Sequence, residues 1–548
     1  FLYAMRKSKK GFKIYGTAKL FAIVLVIISV YLVIFCIFMD WHPKTGAANA
    51  KKNYVKVPYV IVHLDLKGAP PKLSYLESLL PTFKEYGANG LLLEYEDMFP
   101  YTDKLLNLSA KNCYSRSELS NFLSVAVNLG FEIIPLVQTF GHMEHVLKLR
   151  EFKHLREVPE HPHTICPTQP ESNVIIKLML DQVITFHNSI TSLKHIHVGC
   201  DEVFHIKVCD SRSQRAKERA INVFLDHIIT VVEIVKETSP KLTVMIWDDM
   251  FRTMREFSKF DNVEVVYWDY RPSVILPRVS FFHYKSQFKN IWGAAAFKGA
   301  DGATASVPDL KSRIMNIFSW MKLMVAHESV YSFKGLILTG WSRYSHMQPL
   351  CELLPVSLPS LLLSLRIIKQ FELGVSSDYF TDTDIHKFSA KYLTENIGSY
   401  TCNVGTNIAF FDASSCSSFT DIKLFYALVE LSEVIHDIYL HFQSDHNEYS
   451  TIEFYSQTQE IDINSLEHEI KTFNNTLTDL LTIETKIVNA MKMYFDDFVI
   501  NEYVGYKTYF AKQQLLRLKN SINIRSVIRV WERRPATLYY NISSNTTV

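Results

Sequence analysis

Downstream of residue 56 the chain alternates short apolar runs with longer stretches of helical periodicity. The runs are Tyr59–Leu66, Gly90–Glu96, Glu132–Gln138, His195–Glu202, Leu242–Met250, Val263–Tyr270, Ile291–Ala300 and Gly335–Tyr344. They are rich in Val, Ile and Leu, which suits parallel strands covered on both faces. Between them Leu73–Tyr86, Ser117–Leu129, Val174–Phe186 and Ser213–Glu237 read as helices. Eight such units in about 290 residues predict an α/β fold, a (β/α)8 TIM barrel over 57–350. An open doubly wound sheet is the alternative, but no Gly-x-Gly-x-x-Gly follows the first run to support it. Past residue 350 the pattern is helical over 351–375, 417–440 and 462–520, so 351–548 reads as a mostly α-helical region. It carries no catalytic motif and would pack on the barrel or mediate a homodimer.

A different pattern precedes the first run. Leu20–Met39 contains no charged residue, and twenty residues at about 1.5 Å each span a hydrocarbon core. A cleaved signal peptide would have a shorter apolar region ending at small residues, whereas this one ends in Met39-Asp40-Trp41. Residues 1–19 are basic and free of acids, so they are expected to stay cytoplasmic. The prediction is a single-pass type II signal anchor at 20–39, a stem at 40–56, and a lumenal or extracellular body in the secretory pathway. Golgi, lysosome and cell surface all remain open. Sequons at Asn107, Asn474, Asn541 and Asn545 agree with that topology.

Composition narrows the class. Of 548 residues, 48% are hydrophobic and 21% charged, which is ordinary for a chain that buries a core. A net charge of +2 gives no case for nucleic-acid binding. Eight cysteines are too few for a disulfide scaffold. A basic stretch over 511–535 reads as a solvated helix face in preference to a site for an acidic partner.

In a barrel of this kind the active site forms at the C-terminal ends of the strands. Those ends carry Asp65 and Lys67, Glu94 and Glu96, His142, Asp201 and Glu202, Trp247 and Asp248, Trp268 and Tyr270, Trp292, and Trp341 and Arg343. Carboxylates among aromatic rings suit a sugar, whose flat apolar faces stack on rings while polar groups read its hydroxyls. One tryptophan alone would read as core packing. His195-Ile-His197 and His142-x-x-His145 raise a metal-dependent hydrolase as a competitor, although two histidines in mid-strand fit packing better.

The motifs HLDLKGAPPK (63–72), TFGHMEH (139–145), HIHVGCDEVFHI (195–206), WGAAAFKGA (292–300) and TGWSRY (339–344) resemble glycoside hydrolase family 20, the β-N-acetylhexosaminidases, in its hexosaminidase D branch. The resemblance covers about residues 55–350 and implies an exo-β-N-acetylhexosaminidase acting on glycoconjugates with terminal GlcNAc or GalNAc, with no cofactor and no metal. It implies Glu202 as general acid and Asp201 as the carboxylate that orients the substrate's 2-acetamido group, which itself attacks the anomeric carbon. Glu202 is expected to have a pKa raised by burial. Tyr270 is implied as the hydroxyl holding the acetamido oxygen, with Trp247, Trp292 and Trp341 as pocket walls. Asp248, His142 and Lys67 complete the expected substrate-binding set. Lys67 stands where better-known members carry an arginine, so hydroxyl recognition is expected to differ. The alternatives are a catalytically silent glycan-binding barrel and, less favoured, the metal-dependent hydrolase.

Overall fold

The computed structural model describes residues 55–206, 214–254, 257, 259–373, 422–443 and 463–526. The expected tail, anchor and most of the stem (1–54), and the sequons at Asn541 and Asn545, lie outside the described residues. Among the described residues no helix is long and apolar enough to cross a membrane.

Eight parallel strands close into a barrel: β1 (Tyr59–Asp65), β2 (Gly90–Glu94), β3 (Glu132–Leu136), β6 (His195–His197), β7 (Thr243–Trp247), β8 (Phe260–Trp268), β9 (Phe288–Lys298) and β10 (Phe333–Gly340). Closure comes from β1, which pairs with β10 through Val60↔Leu336 and with β2 through Val62↔Leu91. A short antiparallel hairpin, β4 (Arg156–Val158) and β5 (His161–Ile165), is inserted between β3 and β6 and has no counterpart in the predicted pattern.

The outer ring is α1 (Leu73–Glu85), α2 (Arg116–Asn128), α3 (Pro170–Asn188), α4 (Gln214–Thr238), α5 (Arg278–Gln287), α6 (Leu310–His327) and α7 (Leu354–Glu372). Local chemistry sets several starts. Ser115 and Glu118 form a capping box at α2, Pro170 takes the first position of α3, and Asp309 caps α6. The last of these helices buries Leu358, Leu361 and Leu365 in the same core as the strands. The barrel layer therefore runs to Glu372, beyond the expected end at 350.

Inside the barrel a separate core stacks Ile61, Leu92, Ile134, Met245, Trp247, Val266, Trp292 and Ile337, supplied by inward-facing strand positions. The remaining helices, α8 (Ile422–Gln443), α9 (Ile463–Met491) and α10 (Asp497–Ser526), share a third core that includes Ala69, Leu350, Leu353 and Val356 from the barrel. Ala69 follows β1 and Leu350 follows β10, so these helices sit against loops at the C-terminal rim. Truncating a fully buried member such as Leu480 to Ala is expected to cost about 2–5 kcal/mol. Among the described residues Cys113, Cys166, Cys200 and Cys351 are free thiols.

Candidate active site

The site is built on a bend. Adjacent residues of a regular strand face opposite ways, so Asp201 and Glu202 can share a pocket only if the backbone turns. Strand β6 ends at His197, and the chain then passes through positive φ at Gly199 (68°), Cys200 (64°) and Glu202 (47°). Gly199 is obligatory on two grounds: its φ favours glycine, and a Cβ there would fall 1.8 Å from Gln138 Oε1. Non-glycine residues in this region store strain unless their surroundings hold them. Here the Glu202 amide donates to Asp249 Oδ2 at 2.8 Å, and the Thr139 hydroxyl donates to the Val198 carbonyl at 2.8 Å.

His142 bridges the pair. It too has a positive φ, 52°, and its Nε2 lies 3.5 Å from Asp201 Oδ2 and 3.3 Å from Glu202 Oε2. Burial opposes its charge, but the two carboxylates outweigh burial and push its pKa up to about 10. Burial raises Asp201 to about 7, with His142 pulling the other way and Asp249 adding to the rise. Glu202 moves in the opposite sense: the hydrogen bond from His142 holds it below the ordinary carboxylate value against partial burial. The expected elevation of Glu202 is thus not found in the ligand-free site. Its side chain is 38% exposed while that of Asp201 is 10% exposed, so desolvation acts mainly on the aspartate.

Around the pair is a pocket of about 610 Å³ whose lining includes Trp247, Tyr270, Trp341, Gln138 and Lys67. The Tyr270 hydroxyl accepts from Trp341 Nε1 at 3.2 Å, and the Trp247 and Trp341 rings are 6.0 Å apart. Asp201 Oδ1 and Trp247 Nε1 are buried without a hydrogen-bond partner, and both residues line the pocket. Lys67 sits 3.2 Å from Asp65, 3.7 Å from Glu94 and 3.5 Å from Glu96, and 5.2 Å from the centre of the Trp341 ring. Burial would lower its pKa, but the three carboxylates hold it well above the ordinary lysine value. Trp341 is fixed from behind: Lys298 Nζ donates to its carbonyl at 2.5 Å, and the next amide, Ser342, donates to Asp65 Oδ2 at 2.7 Å.

Two expected site residues lie elsewhere. Trp292 is the fifth residue of β9, not the last, and it is buried beside Tyr59 and His195 with its Nε1 donating to Glu264 at 2.7 Å. It belongs to the barrel interior toward the N-terminal ends of the strands. Asp248 follows Trp247 and therefore faces away from the pocket, toward the helices. Its carboxylate takes a two-pronged contact from Arg252 at 2.7 Å and the Tyr284 hydroxyl at 3.0 Å. It acts on the pocket through Arg252 and through the Trp268 amide, which donates to its Oδ1 at 3.3 Å; both residues line the wall.

The metal alternative divides the same way. His195 contacts Glu132 and, at 2.7 Å, Lys334, whereas His197 accepts from the Gly199 amide at 3.0 Å. His142 serves the carboxylate pair, while His145 falls in a separate cluster with Glu96 and His346. That cluster and a second, His142, Glu144 and His163, bring three ligand atoms within 4.8 Å of one another. Protein cations already serve both: Lys67 faces Glu96, Lys148 donates to His346 Nδ1 at 3.1 Å, and His142 is itself cationic.

Two residues near the pair, His163 and Arg313, carry no motif of their own. His163, from the unforeseen hairpin, stands edge-on to His142 at 4.6 Å between ring centres. Burial and the neighbouring His142 charge push it down to about 4, so it stays neutral. Arg313, at the start of α6, lines the wall, as does the strand-end residue Arg343 after β10.

The family model for the catalytic domain of glycosyl hydrolase family 20 matches residues 79–276. Hexosaminidase D of Homo sapiens is 41% identical over 319 residues, covering 56% of this chain and 65% of that protein. The chain thus spans just under two thirds of the human relative's length. Hexosaminidase D of Bos taurus is 40% identical over 319 residues, covering 56% of this chain and 91% of that protein. Among solved structures, the β-N-acetylhexosaminidase from Bacteroides fragilis NCTC 9343 aligns with a TM-score of 0.42 at 15% identity, over 57% of this chain and 66% of that one. With an eight-stranded barrel, an Asp-Glu pair at the end of its fourth strand and these relatives, the chain belongs to glycoside hydrolase family 20, in the hexosaminidase D branch.

Proposed function

We propose that this chain is an exo-β-N-acetylhexosaminidase that removes terminal β-linked GlcNAc or GalNAc from glycoconjugates by a substrate-assisted, retaining mechanism. The observation that carries the reading is the Asp201–Glu202 pair, bridged by His142 and facing Tyr270, Trp247 and Trp341 across one pocket. Glu202, the more exposed carboxyl, gives its proton to the glycosidic oxygen as that bond breaks. The acetamido carbonyl oxygen attacks the anomeric carbon and forms a cyclic oxazolinium. Asp201 accepts from the acetamido N–H and balances the positive charge, while the Tyr270 hydroxyl donates to the acetamido oxygen. Water then opens the ring as Glu202 takes its proton.

Ligand-free, the proton shared by the pair rests on Asp201. A bound sugar strips water from Glu202 and raises it, while the acetamido N–H donating to Asp201 lowers the aspartate, so the proton passes to the acid before the glycosidic bond breaks. The test is Glu202→Gln on chromogenic β-GlcNAc and β-GalNAc substrates. A fall of about 10²–10⁴ in kcat supports general-acid catalysis. Wild-type protein that binds these sugars without hydrolysing them would make the chain a silent glycan-binding barrel.

The uncharged run 20–39 behind a basic flank supports a type II anchor with the barrel on the lumenal or extracellular side. Asn107 and Asn474 are exposed, as glycan acceptors must be. Protection of the barrel from protease in sealed microsomes, with a mass shift on glycosidase treatment, tests both. Association through the C-terminal helices is supported by the exposed Phe498, Tyr509 and Leu516 of α10, and sedimentation of the detergent-solubilised chain tests it.

A further inference from the structure

The C-terminal helices lie far along the chain from the catalytic pair, yet their core takes in Ala69 and Leu350, from the two loops that carry Lys67 and Trp341 to the pocket. Backbone contacts anchor the arrangement. The Lys72 amide donates to the Tyr494 carbonyl at 2.7 Å, and Lys72 Nζ donates to the Lys492 carbonyl at 2.7 Å. Helix α10 is fixed at its start by Asp496, which accepts from the Val499 amide at 2.9 Å and from Asn112 Nδ2 at 3.0 Å. Val499, Ile500, Tyr503 and Val504 are buried around the next turn, and this orients Glu502.

Glu502 reaches the pocket wall itself. Its Oε1 accepts from Arg343 Nη2 at 2.7 Å, and Arg343 lines the pocket with its side chain only 7% exposed. Nη1 of the same guanidinium donates to the Gln348 carbonyl at 3.4 Å, while Nε is buried with no partner. Space for the guanidinium exists because residue 68 is glycine, where a Cβ would lie 2.0 Å from Nη2. A buried donor left unpaired in the wall of a sugar pocket costs free energy until an acceptor arrives.

We propose that Arg343 is a specificity-determining residue that donates to an oxygen of the bound sugar, and that Glu502 of the C-terminal helical region is the positioning residue that aims it. This rests on the glycosidase reading and extends it, since the helical region then forms part of the active site. Neither residue falls in the segment 79–276 that the family model matches.

The experiment uses the full chain with Glu502→Ala, Glu502→Gln, Arg343→Ala and the Arg343→Ala/Glu502→Ala double variant. For each, kcat and KM are measured on chromogenic β-GlcNAc and β-GalNAc substrates, and GlcNAc binding is measured by calorimetry. Glu502→Ala is expected to raise KM about fivefold or more with kcat little changed, and to alter the GlcNAc-to-GalNAc ratio of kcat/KM by about threefold. Glu502→Gln keeps an acceptor for Nη2 and should recover much of the loss. The double variant should be no worse than Arg343→Ala, because both changes remove one unit. Unchanged KM and ratio in Glu502→Ala, or additive losses in the double variant, overturn the proposal. If wild-type protein hydrolyses neither substrate, the glycosidase reading falls, and the same non-additivity in GlcNAc binding still decides whether Arg343 and Glu502 act together.

Discussion

Replacing His142 by Asn removes the cation between the two catalytic carboxyls while keeping a residue that tolerates the positive φ of 52°. The imidazolium lies 3.5 Å from Asp201 and 3.3 Å from Glu202. At an effective dielectric of about 20, a unit pair at such a distance attracts by roughly 5 kcal/mol, and a neighbouring opposite charge usually moves a carboxyl by about one to three pH units. The direction follows from what His142 does now: it lowers both carboxyls, so its loss raises both. With Asp201 at about 7 and Glu202 below its ordinary value, the wild-type pair holds a single proton in mildly acid solution, and kcat/KM should peak there. In the variant both limbs of the bell should shift alkaline by about one to three pH units. Near pH 6 Asp201, which already holds the proton in the free wild-type site, would give it up less readily, and kcat should fall about 100-fold because its charge is not regained in the transition state. The assay is a pH–rate profile on a chromogenic β-GlcNAc substrate from about pH 4 to 9, a window that brackets the carboxyl values. A variant profile that superimposes on the wild-type one, lowered or not, refutes the electrostatic role given to His142.

Asp201→Asn should lower kcat by about 10²–10³ with KM nearly unchanged, because its charge matters most once the acetamido group becomes cationic; steady-state kinetics separates the two. Lys67→Met leaves Asp65, Glu94 and Glu96 buried without their shared cation, and urea denaturation should show a loss of about 3–5 kcal/mol. Trp292→Phe removes one of the donors to the buried Glu264 and should cost about 1–3 kcal/mol in the same assay, with kcat and KM on chromogenic substrates unchanged.

Much of this architecture is legible in the residue pattern, because a strand buried on both faces must be apolar along its length. All eight runs fall on barrel strands. The pair at 201–202 was legible too, from its place at a strand end and from the motif at 195–206. Trp292 is misplaced because the family motif at 292–300 puts it in the pocket wall, although it is second in its apolar run and only fifth in β9, which runs from Phe288 to Lys298. Asp248 shows the complementary limit: periodicity places it at a strand end, but the two-residue alternation turns it outward. Arg343 was among the strand-end residues, but His163, Arg313 and Glu502 could not be found from local pattern. Each of these three enters the site through an inserted hairpin or a helix, and only tertiary packing brings them together.

The central claim is that the substrate supplies its own nucleophile, and the most direct measurement compares wild-type rates on paired aryl β-N-acetylglucosaminide and aryl β-glucoside substrates. Without the 2-acetamido group no oxazolinium can form, and an oriented internal nucleophile is worth many orders of magnitude, so kcat/KM on the glucoside should be lower by at least about 10³. Comparable rates on the two substrates would contradict the account, because they would require a protein carboxylate to attack the anomeric carbon in place of the acetamido oxygen.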